Sequence, residues 1–337
     1  MRRNFKLDHG NVIEVKDGAG EVSLFVDLDE NEKQQLVSEN KIDEHNLISS
    51  LDPNELPRIE LEENHLAVIF KYPKHYSAKD NFVFRINSVG LFLFKDRLIV
   101  VAPSDLTIFE GRSFTKVQNL QMLFLKILSA CISHFFSHLY VINEIANELE
   151  PKIMRAMENE SLLLMFSIEK SLVYYVNAIS ANGRVVERLK TNAKNSQTEG
   201  LTPEMLEYVD DLAIENAQCL EQAQVYANVF TGLMDARASI VSNNLNVLMK
   251  RLTVINVVFM PLNVLASIGG MSEYSMMTEK YLSWPMSYGI FLIGLTIVGM
   301  LTYYILKYFE TKSIGYKSAG TRKISRKWVQ TFEKNAA

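Results

Sequence analysis

Two apolar runs without a charged residue lie near the end of the chain, at 252–271 and 281–306. Each run is long enough to cross a hydrocarbon core of about 30 Å as a helix that rises about 1.5 Å per residue. Because a short segment separates the runs, the chain has to turn back at once. The pattern predicts a two-helix transmembrane hairpin, with transmembrane helix 1 at 252–272, an extracytoplasmic loop at 273–280 and transmembrane helix 2 at 281–306.

The residues before the hairpin divide into a mixed segment and a helical segment. Stretches rich in β-branched and aromatic residues predict strands at 23–27, 65–72, 82–86, 90–94 and 98–101. Apolar residues at helical spacing predict short helices at 31–39 and 44–50 and long helices at 118–147 and 148–190. We therefore expect a small α/β domain at 1–115 and a helical bundle at 116–200.

A very long helix is predicted to join the bundle to the first apolar run. Thr202 is suited to cap its N-terminus, and Pro203 is suited to its first turn. No strong helix breaker follows until Pro261, so we expect one helix from 203 to 267, about 100 Å long. A helix of this length needs neighbours for stability. Its first part, 201–251, is the predicted stalk.

Polar and methionine side chains recur at spacings of three and four residues along the end of this helix. Such a heptad seam predicts one helix face that is too polar for lipid and should meet protein or water. The residues of the seam are Asn246, Met249, Thr253, Asn256, Met260, Asn263, Ser267 and Gly270. Several copies around a symmetry axis would enclose a pore lined by this seam. Hydrogen bonding between packed helices is the alternative, and the two roles are compatible.

The stalk is strongly acidic. Seven acidic residues and no lysine or arginine lie between 204 and 236, with Asp210, Asp211 and Asp235 among them. If several stalks pack around one axis, their carboxylates repel, and bound divalent cations would relieve that repulsion. Asp210 and Asp211 are the best candidates for such a sensor. The simpler interpretation is the solvated face of an exposed helix.

Charge and composition limit the remaining possibilities. A formal net charge of −4 argues against a nucleic-acid partner. The two cysteines, Cys131 and Cys219, lie far apart in helical patterns, which indicates reduced thiols in a cytoplasmic setting. Lysine and arginine precede the first apolar run and follow the second, and the basic tail at 307–337 extends this bias. The positive-inside rule therefore predicts a multi-pass protein of the cytoplasmic membrane with both termini in the cytoplasm.

Catalytic and cofactor motifs are not evident in the sequence. We find no phosphate-binding glycine loop, nucleophile elbow or paired-cysteine motif, so we expect neither an enzyme nor an ATP-driven pump and no cofactor. His134 and His138 are four residues apart on one predicted helix face, and Glu144 is nearby, so together they could hold Zn²⁺. Ordinary packing of these histidines is the favoured interpretation. The basic tail is expected to contact anionic membrane lipids.

The segments 242–249, 260–262 and 268–272, together with 52–60 in the first domain, resemble the CorA family of divalent-cation channels. The resemblance implies a homopentameric channel in which transmembrane helix 1 lines the pore and Mg²⁺, often also Co²⁺ or Ni²⁺, moves passively. It places Leu252 among the pore-facing positions, together with members of the seam. It also implies that Asp211 senses cations in the stalk, and it places a further acidic position at Asp235.

The outer mouth departs from the family pattern. Gly270, Met271 and Ser272 stand where the family has Gly-Met-Asn, and Gly269 replaces the usual aromatic residue. A serine ring offers shorter acceptors to a hydrated cation and predicts a wider, weaker site. Transport of Zn²⁺ and a non-conducting cation-sensing scaffold are the alternatives to Mg²⁺ transport. In the loop, Glu273 and Glu279 are expected to concentrate cations at the mouth.

Overall fold

The computed structural model describes residues 1–15, 20–74, 84–104, 114, 116–155, 159–194, 203–279, 281 and 283–308. Its strands are β1 (Arg2–Asp8), β2 (Asn11–Val15), β3 (Val22–Val26), β4 (Arg58–Leu61), β5 (His65–Pro73), β6 (Ile86–Phe94) and β7 (Leu98–Ala102). Within the described residues these seven strands form one sheet in the order β2-β1-β3-β7-β6-β5-β4. Strands β3 and β7 are parallel, and the other neighbouring pairs are antiparallel.

Both faces of the sheet are buried, which explains why its central strands are apolar almost throughout. Successive side chains of a strand point to opposite faces. In β7, Leu98 and Val100 accordingly belong to one hydrophobic core, whereas Ile99 and Val101 belong to the other. The first segment of the chain is therefore a three-layered α/β structure, in agreement with the predicted fold class.

Helices form the two outer layers. Helices α1 (Glu30–Asn40) and α2 (Glu44–Leu51) cover one face of the sheet. Helices α3 (Leu120–Arg155) and α4 (Asn159–Lys194) cover the other face, where both contact β5.

The side chain of Asn182 anchors α4 to the sheet. Its Oδ1 accepts a hydrogen bond of 2.9 Å from the Lys71 amide, and its Nδ2 donates one of 2.9 Å to the Lys71 carbonyl oxygen. Strand β4 pairs with β5 as far as Ile69. The Asn182 amide therefore satisfies backbone groups beyond the end of the partner strand. This contact fixes α4 over the end of β5.

Helix α5 (Pro203–Gly269) is one helix of 67 residues, which confirms the helix predicted for 203–267. The described residues divide into a compact first unit, 1–237, and a second unit, from 238 onward. In the first unit, α5 contributes Met205, Leu212 and Cys219 to the larger core. In the second unit it is followed by α6 (Ser272–Glu279) and α7 (Trp284–Tyr308).

Three helices among the described residues are long and apolar enough to cross a membrane: Leu120–Leu149, Glu204–Gly269 and Trp284–Tyr308. The apolar part of the first is 61% buried in its own unit, so the protein core accounts for its composition. The corresponding parts of the other two are 6% and 0% buried. An apolar helix surface that folding leaves uncovered requires lipid or a protein partner.

Two boundaries differ from the prediction. The division of the long helices between 147 and 148 is wrong, because α3 continues to Arg155. Ile142, Ala146 and Leu149 keep an unbroken helical spacing in the core, and no helix-terminating residue separates them. The predicted connection at 273–280 largely forms helix α6, and the predicted helix 281–306 is observed at Trp284–Tyr308.

Three strands escaped the prediction. Charged residues interrupt these strands, four in β1, one in β2 and two in β4, so their sequences lack the β-rich signal on which the other strands were predicted. In the segment 82–86, residues 82 and 83 lie outside the described residues, and β6 begins at Ile86. Thr202 and the tail beyond Tyr308 also lie outside them.

Candidate functional site

The residues predicted to line a pore share one face of α5. At about 100° per residue they fall within an arc of about 120°. We call this arc the polar face; it comprises Asn246, Met249, Leu252, Thr253, Asn256, Met260, Asn263 and Ser267. All eight are exposed, Met260 to 72%. Folding of a single chain therefore leaves three asparagines uncovered within or beside an apolar helix segment.

The opposite side of α5 packs against α7. A Cβ atom added at Gly269 would lie 2.3 Å from the Phe291 ring, and one added at Gly299 would lie 3.3 Å from a methyl carbon of Leu262. The Tyr288 hydroxyl also donates to the Gly269 carbonyl oxygen at 3.2 Å. These contacts occur at two levels and run in opposite directions along the two helices, as in an antiparallel pair.

The buried side of α5 lies about half a turn away from the polar face. Its half-buried or buried residues beyond 253 are Val254, Val258, Pro261, Leu262, Leu265 and Gly269. At about 100° per residue, the centre of this group is about 180° from the centre of the polar face. Helix α7 therefore covers the apolar side of α5 and leaves the polar face for other contacts.

Two backbone features add to the polar face. The Thr253 hydroxyl donates to the Met249 carbonyl oxygen at 2.8 Å, so this side chain is satisfied within its own helix. Pro261 lies inside α5 and has no N–H to donate to the carbonyl oxygen of Val257, four residues earlier. That oxygen lies at the edge of the polar face and lacks the usual partner from position 261, a feature that Pro261 signals in the sequence.

The predicted mouth residues lie where α5 gives way to α6. The Gly270 amide donates to the Ala266 carbonyl oxygen at 3.0 Å, and the Met271 amide donates to the Ile268 carbonyl oxygen at 3.1 Å. Met271 is 52% exposed. Ser272 is the first residue of α6, exposed Glu273 lies in its first turn, and Glu279 is its last residue.

The predicted sensor residues do not converge within one chain. Asp211 and Asp235 are exposed, and 24 positions of one helix separate them, or about 36 Å at about 1.5 Å per residue. Asp210 differs from both, because its Oδ1 lies 3.2 Å from the Lys190 ammonium of α4. No group of three histidine, cysteine, aspartate or glutamate side chains suited to a metal occurs among the described residues.

His138 is part of the protein interior, whereas His134 is half-buried. His138 is 2% exposed, and its Nδ1 lies 2.7 Å from the Tyr175 hydroxyl. Phe84 packs against both rings. Burial raises the pKa of Tyr175, so its phenol stays protonated. These contacts support the packing interpretation over the zinc site considered with Glu144.

Residues 23–307 match the family described as CorA-like Mg²⁺ transporter protein. The chain belongs to the CorA family. It is 24% identical over 253 residues to the cobalt/magnesium transport protein CorA of Thermotoga maritima, covering 72% of this chain and 69% of the relative. It is 25% identical over 219 residues to the protein of the same name from Methanocaldococcus jannaschii, covering 62% of this chain and 66% of the relative.

Solved structures share the CorA fold over most of the chain. The complete CorA magnesium transporter of Methanocaldococcus jannaschii has a TM-score of 0.72 at 20% identity and covers 91% of this chain and 96% of its own. Full-length CmaX has a TM-score of 0.65 at 12% identity, with 92% and 97% covered. The cytoplasmic domain of ZntB from Vibrio parahaemolyticus has a TM-score of 0.55 at 14% identity, with 72% and 98% covered.

Proposed function

We propose that this CorA-family chain forms a homopentameric channel that conducts divalent cations, with Mg²⁺ as the first candidate, passively across the cytoplasmic membrane. The carrying observation is the exposed polar face of α5, which lies opposite the side that packs on α7. Polar side chains in hydrocarbon are costly, so this face requires protein or water. Identical copies arranged around one axis supply both.

The second span supports a membrane location. Helix α7 exposes aromatic residues at both ends: Trp284 to 68% at one, and Tyr304 and Tyr308 to 65% and 64% at the other. Tryptophan and tyrosine favour the two interfaces of a bilayer. At the second of these ends, the Lys307 ammonium lies 5.9 Å from the centre of the Tyr303 ring. A lysine beside a membrane-spanning helix favours the cytoplasmic interface. We therefore propose that both termini lie in the cytoplasm and that the 273–280 segment lies outside.

Each part of the polar face has its own role in the proposed channel. Met249, Leu252 and Met260 would form apolar rings that interrupt the water column when the pore is closed. Asn256, Asn263 and the mouth residues Gly270, Met271 and Ser272 would present acceptors to a hydrated cation. Glu273 and Glu279 would attract cations to the mouth. Measurement of cation flux into lipid vesicles tests the ion preference. Mg²⁺, Co²⁺, Ni²⁺ and Zn²⁺ would compete in this assay, first with the unchanged protein and then with Ser272→Asn.

Accessibility of introduced cysteines tests the location of the water path. We expect a water-soluble thiol reagent to modify Asn256→Cys and Asn263→Cys in lipid vesicles and to leave Ile255→Cys unmodified. Burial raises the pKa of the native thiols Cys131 and Cys219 to about 12, so they stay protonated and do not react. Mass spectrometry of the intact chain reads the modification. If neither polar-face cysteine reacts, the polar face does not line a water-filled path.

If cations regulate the channel through the stalk, substitution of the three aspartates should change the protective Mg²⁺ concentration by different amounts. We expect Mg²⁺ to protect the stalk from limited proteolysis, and we expect Asp211→Asn or Asp235→Asn to shift the protective concentration upward by about tenfold. Asp210→Asn should have the smallest effect, because the Lys190 ammonium already partners that carboxylate.

The same proteolysis experiment separates a channel from a non-conducting scaffold. Protection by Mg²⁺ without any cation flux in vesicles would identify the scaffold. An Asp210→Asn shift as large as that of Asp211→Asn would contradict the order proposed for the stalk.

A further inference from the structure

A cavity of about 690 Å³ lies within the first unit, between the ends of β5 and β6 and helix α4. Pockets for small ligands usually enclose about 300–1,000 Å³. The contact of Asn182 with the Lys71 backbone holds α4 over this end of the sheet. The wall of the cavity is therefore built from regular elements rather than from loops alone. The polar face of α5 contributes no residue to it.

Positive charge dominates the described lining of the cavity. Lys71, Lys74, Arg85 and Lys170 border it, from two strand ends and one helix. Glu55 is the acidic residue among the described lining residues, and its Oε1 lies 2.7 Å from the Arg58 guanidinium. One carboxylate, which is shared with Arg58, leaves the four lining cations in excess. Such a wall favours an anion.

Lys71 is the buried member of the four. It is 5% exposed, and its ammonium donates to the Pro53 carbonyl oxygen at 2.7 Å and to the Ser88 hydroxyl at 2.8 Å. Among the described residues the third N–H has no hydrogen-bond acceptor. Burial lowers the pKa of Lys71 to about 8, against the opposing influence of Asp52 and Glu55. A bound anion would stabilise the charged form and offer the missing acceptor.

The rest of the wall suits an organic body beside the anionic group. Tyr174 presents its ring 5.9 Å from the Lys170 ammonium, and Leu56 and Ile86 add apolar surface. Asn177 supplies an amide group that can donate and accept, and Asn87, whose Nδ2 donates to Ser104 Oγ, offers its Oδ1 as an acceptor. A lone inorganic phosphate would occupy a small part of a cavity of about 690 Å³. Ring stacking, apolar contact and hydrogen-bonding amides together accommodate a sugar and a base.

We propose that this cavity binds a small organic phosphate of the nucleoside-phosphate class, with Lys71, Lys74, Arg85 and Lys170 on the phosphates and Tyr174 beside the ring. The phosphates would meet the cations at the strand ends. The organic part would lie along α4. The first unit would thereby carry a ligand site that is separate from the ion path.

Calorimetric titration of the full-length protein in detergent tests the site directly. ATP is expected to bind more tightly than AMP, and both are expected to bind at least about tenfold more tightly than adenosine or inorganic phosphate. Binding of inorganic phosphate as tight as that of ATP would overturn the organic part of the proposal. Binding of adenosine as tight as that of ATP would overturn the anionic part.

Charge removal at exposed positions provides the matched variants. The double variant Lys74→Gln and Lys170→Gln is expected to weaken ATP binding by about tenfold or more. Neither lysine is buried, so the fold should tolerate both changes. Lys6→Gln is the control, because Lys6 is exposed on β1, four strands away from β5 in the order of the sheet.

The outcomes separate a built site from general attraction of anions. An unchanged affinity for ATP in the double variant would overturn the proposal, and so would an equal loss in the Lys6→Gln control. Absence of ATP and AMP binding at millimolar concentration would overturn it as well. Because the readout is binding, none of these results depends on whether the protein conducts cations.

Discussion

Divalent-cation flux into vesicles is expected to fall by about tenfold or more when Asn256 and Asn263 are both replaced by leucine. A polar group that gives up water and finds no hydrogen-bond partner costs about 1–3 kcal/mol. About 1.4 kcal/mol corresponds to a tenfold change in rate. Both asparagines are exposed on the polar face, away from α7. The variant removes acceptors along the proposed path without emptying any packed interior. Fluorescent cation indicators inside the vesicles measure the initial rate.

A matched pair of substitutions on α7 controls for a general change in polarity. The hydroxyls of Thr296 and Thr302 donate at 2.8 Å to carbonyl oxygens one turn earlier in their own helix. Replacing both threonines by leucine also deletes two polar groups from the second unit, and we expect flux to stay near that of the unchanged protein. If the asparagine variant assembles normally and conducts at the full rate, the polar face is not the conduction path.

Gly269→Ala is expected to destabilise the pairing of α5 and α7 by about 1–3 kcal/mol, the usual cost of overpacking an interior contact. A Cβ atom at this position would lie 2.3, 2.6 and 2.8 Å from three carbons of the Phe291 ring. Contacts this short force the ring or the helices to move. The midpoint of thermal unfolding, followed by circular dichroism in detergent, should fall measurably.

A double-mutant cycle tests the cause of that loss. Phe291→Ala removes the obstructing ring, so adding it to Gly269→Ala should recover part of the lost stability. Gly294→Ala is the matched control, because a Cβ there has no neighbour within 4 Å and should leave the midpoint unchanged or slightly higher. Strictly additive losses in the double variant would show that Phe291 is not the obstacle.

The sequence could predict the features that follow from local periodicity. The start of α5 at Pro203, its continuation to the end of the first span, and the apolar composition of α7 all depend on residues close together in the chain. Periodicity also placed the members of the polar face on one side of the helix. Their exposure opposite α7 agrees with that placement, whereas their role in conduction stays a prediction.

Features that depend on distant residues could not be predicted. The ion pair of Lys190 with Asp210 joins two helices, and nothing in the acidic pattern of the stalk distinguishes Asp210 from Asp211. Gly269 stands where related sequences are expected to have an aromatic residue, and the ring of Phe291 from α7 occupies the space beside it. The cationic cavity assembles from strand ends and α4 in the same way. Such pairings emerge when the chain folds.

The exposed polar face also has a genetic consequence. Each chain packs the apolar side of α5 against α7, and in the proposed channel identical neighbours would cover the rest. In a cell that makes normal and defective chains together, most rings would then contain at least one faulty member. A loss-of-function allele at Asn256 or Asn263 should accordingly act as a dominant inhibitor, whereas an allele that prevents folding should be recessive.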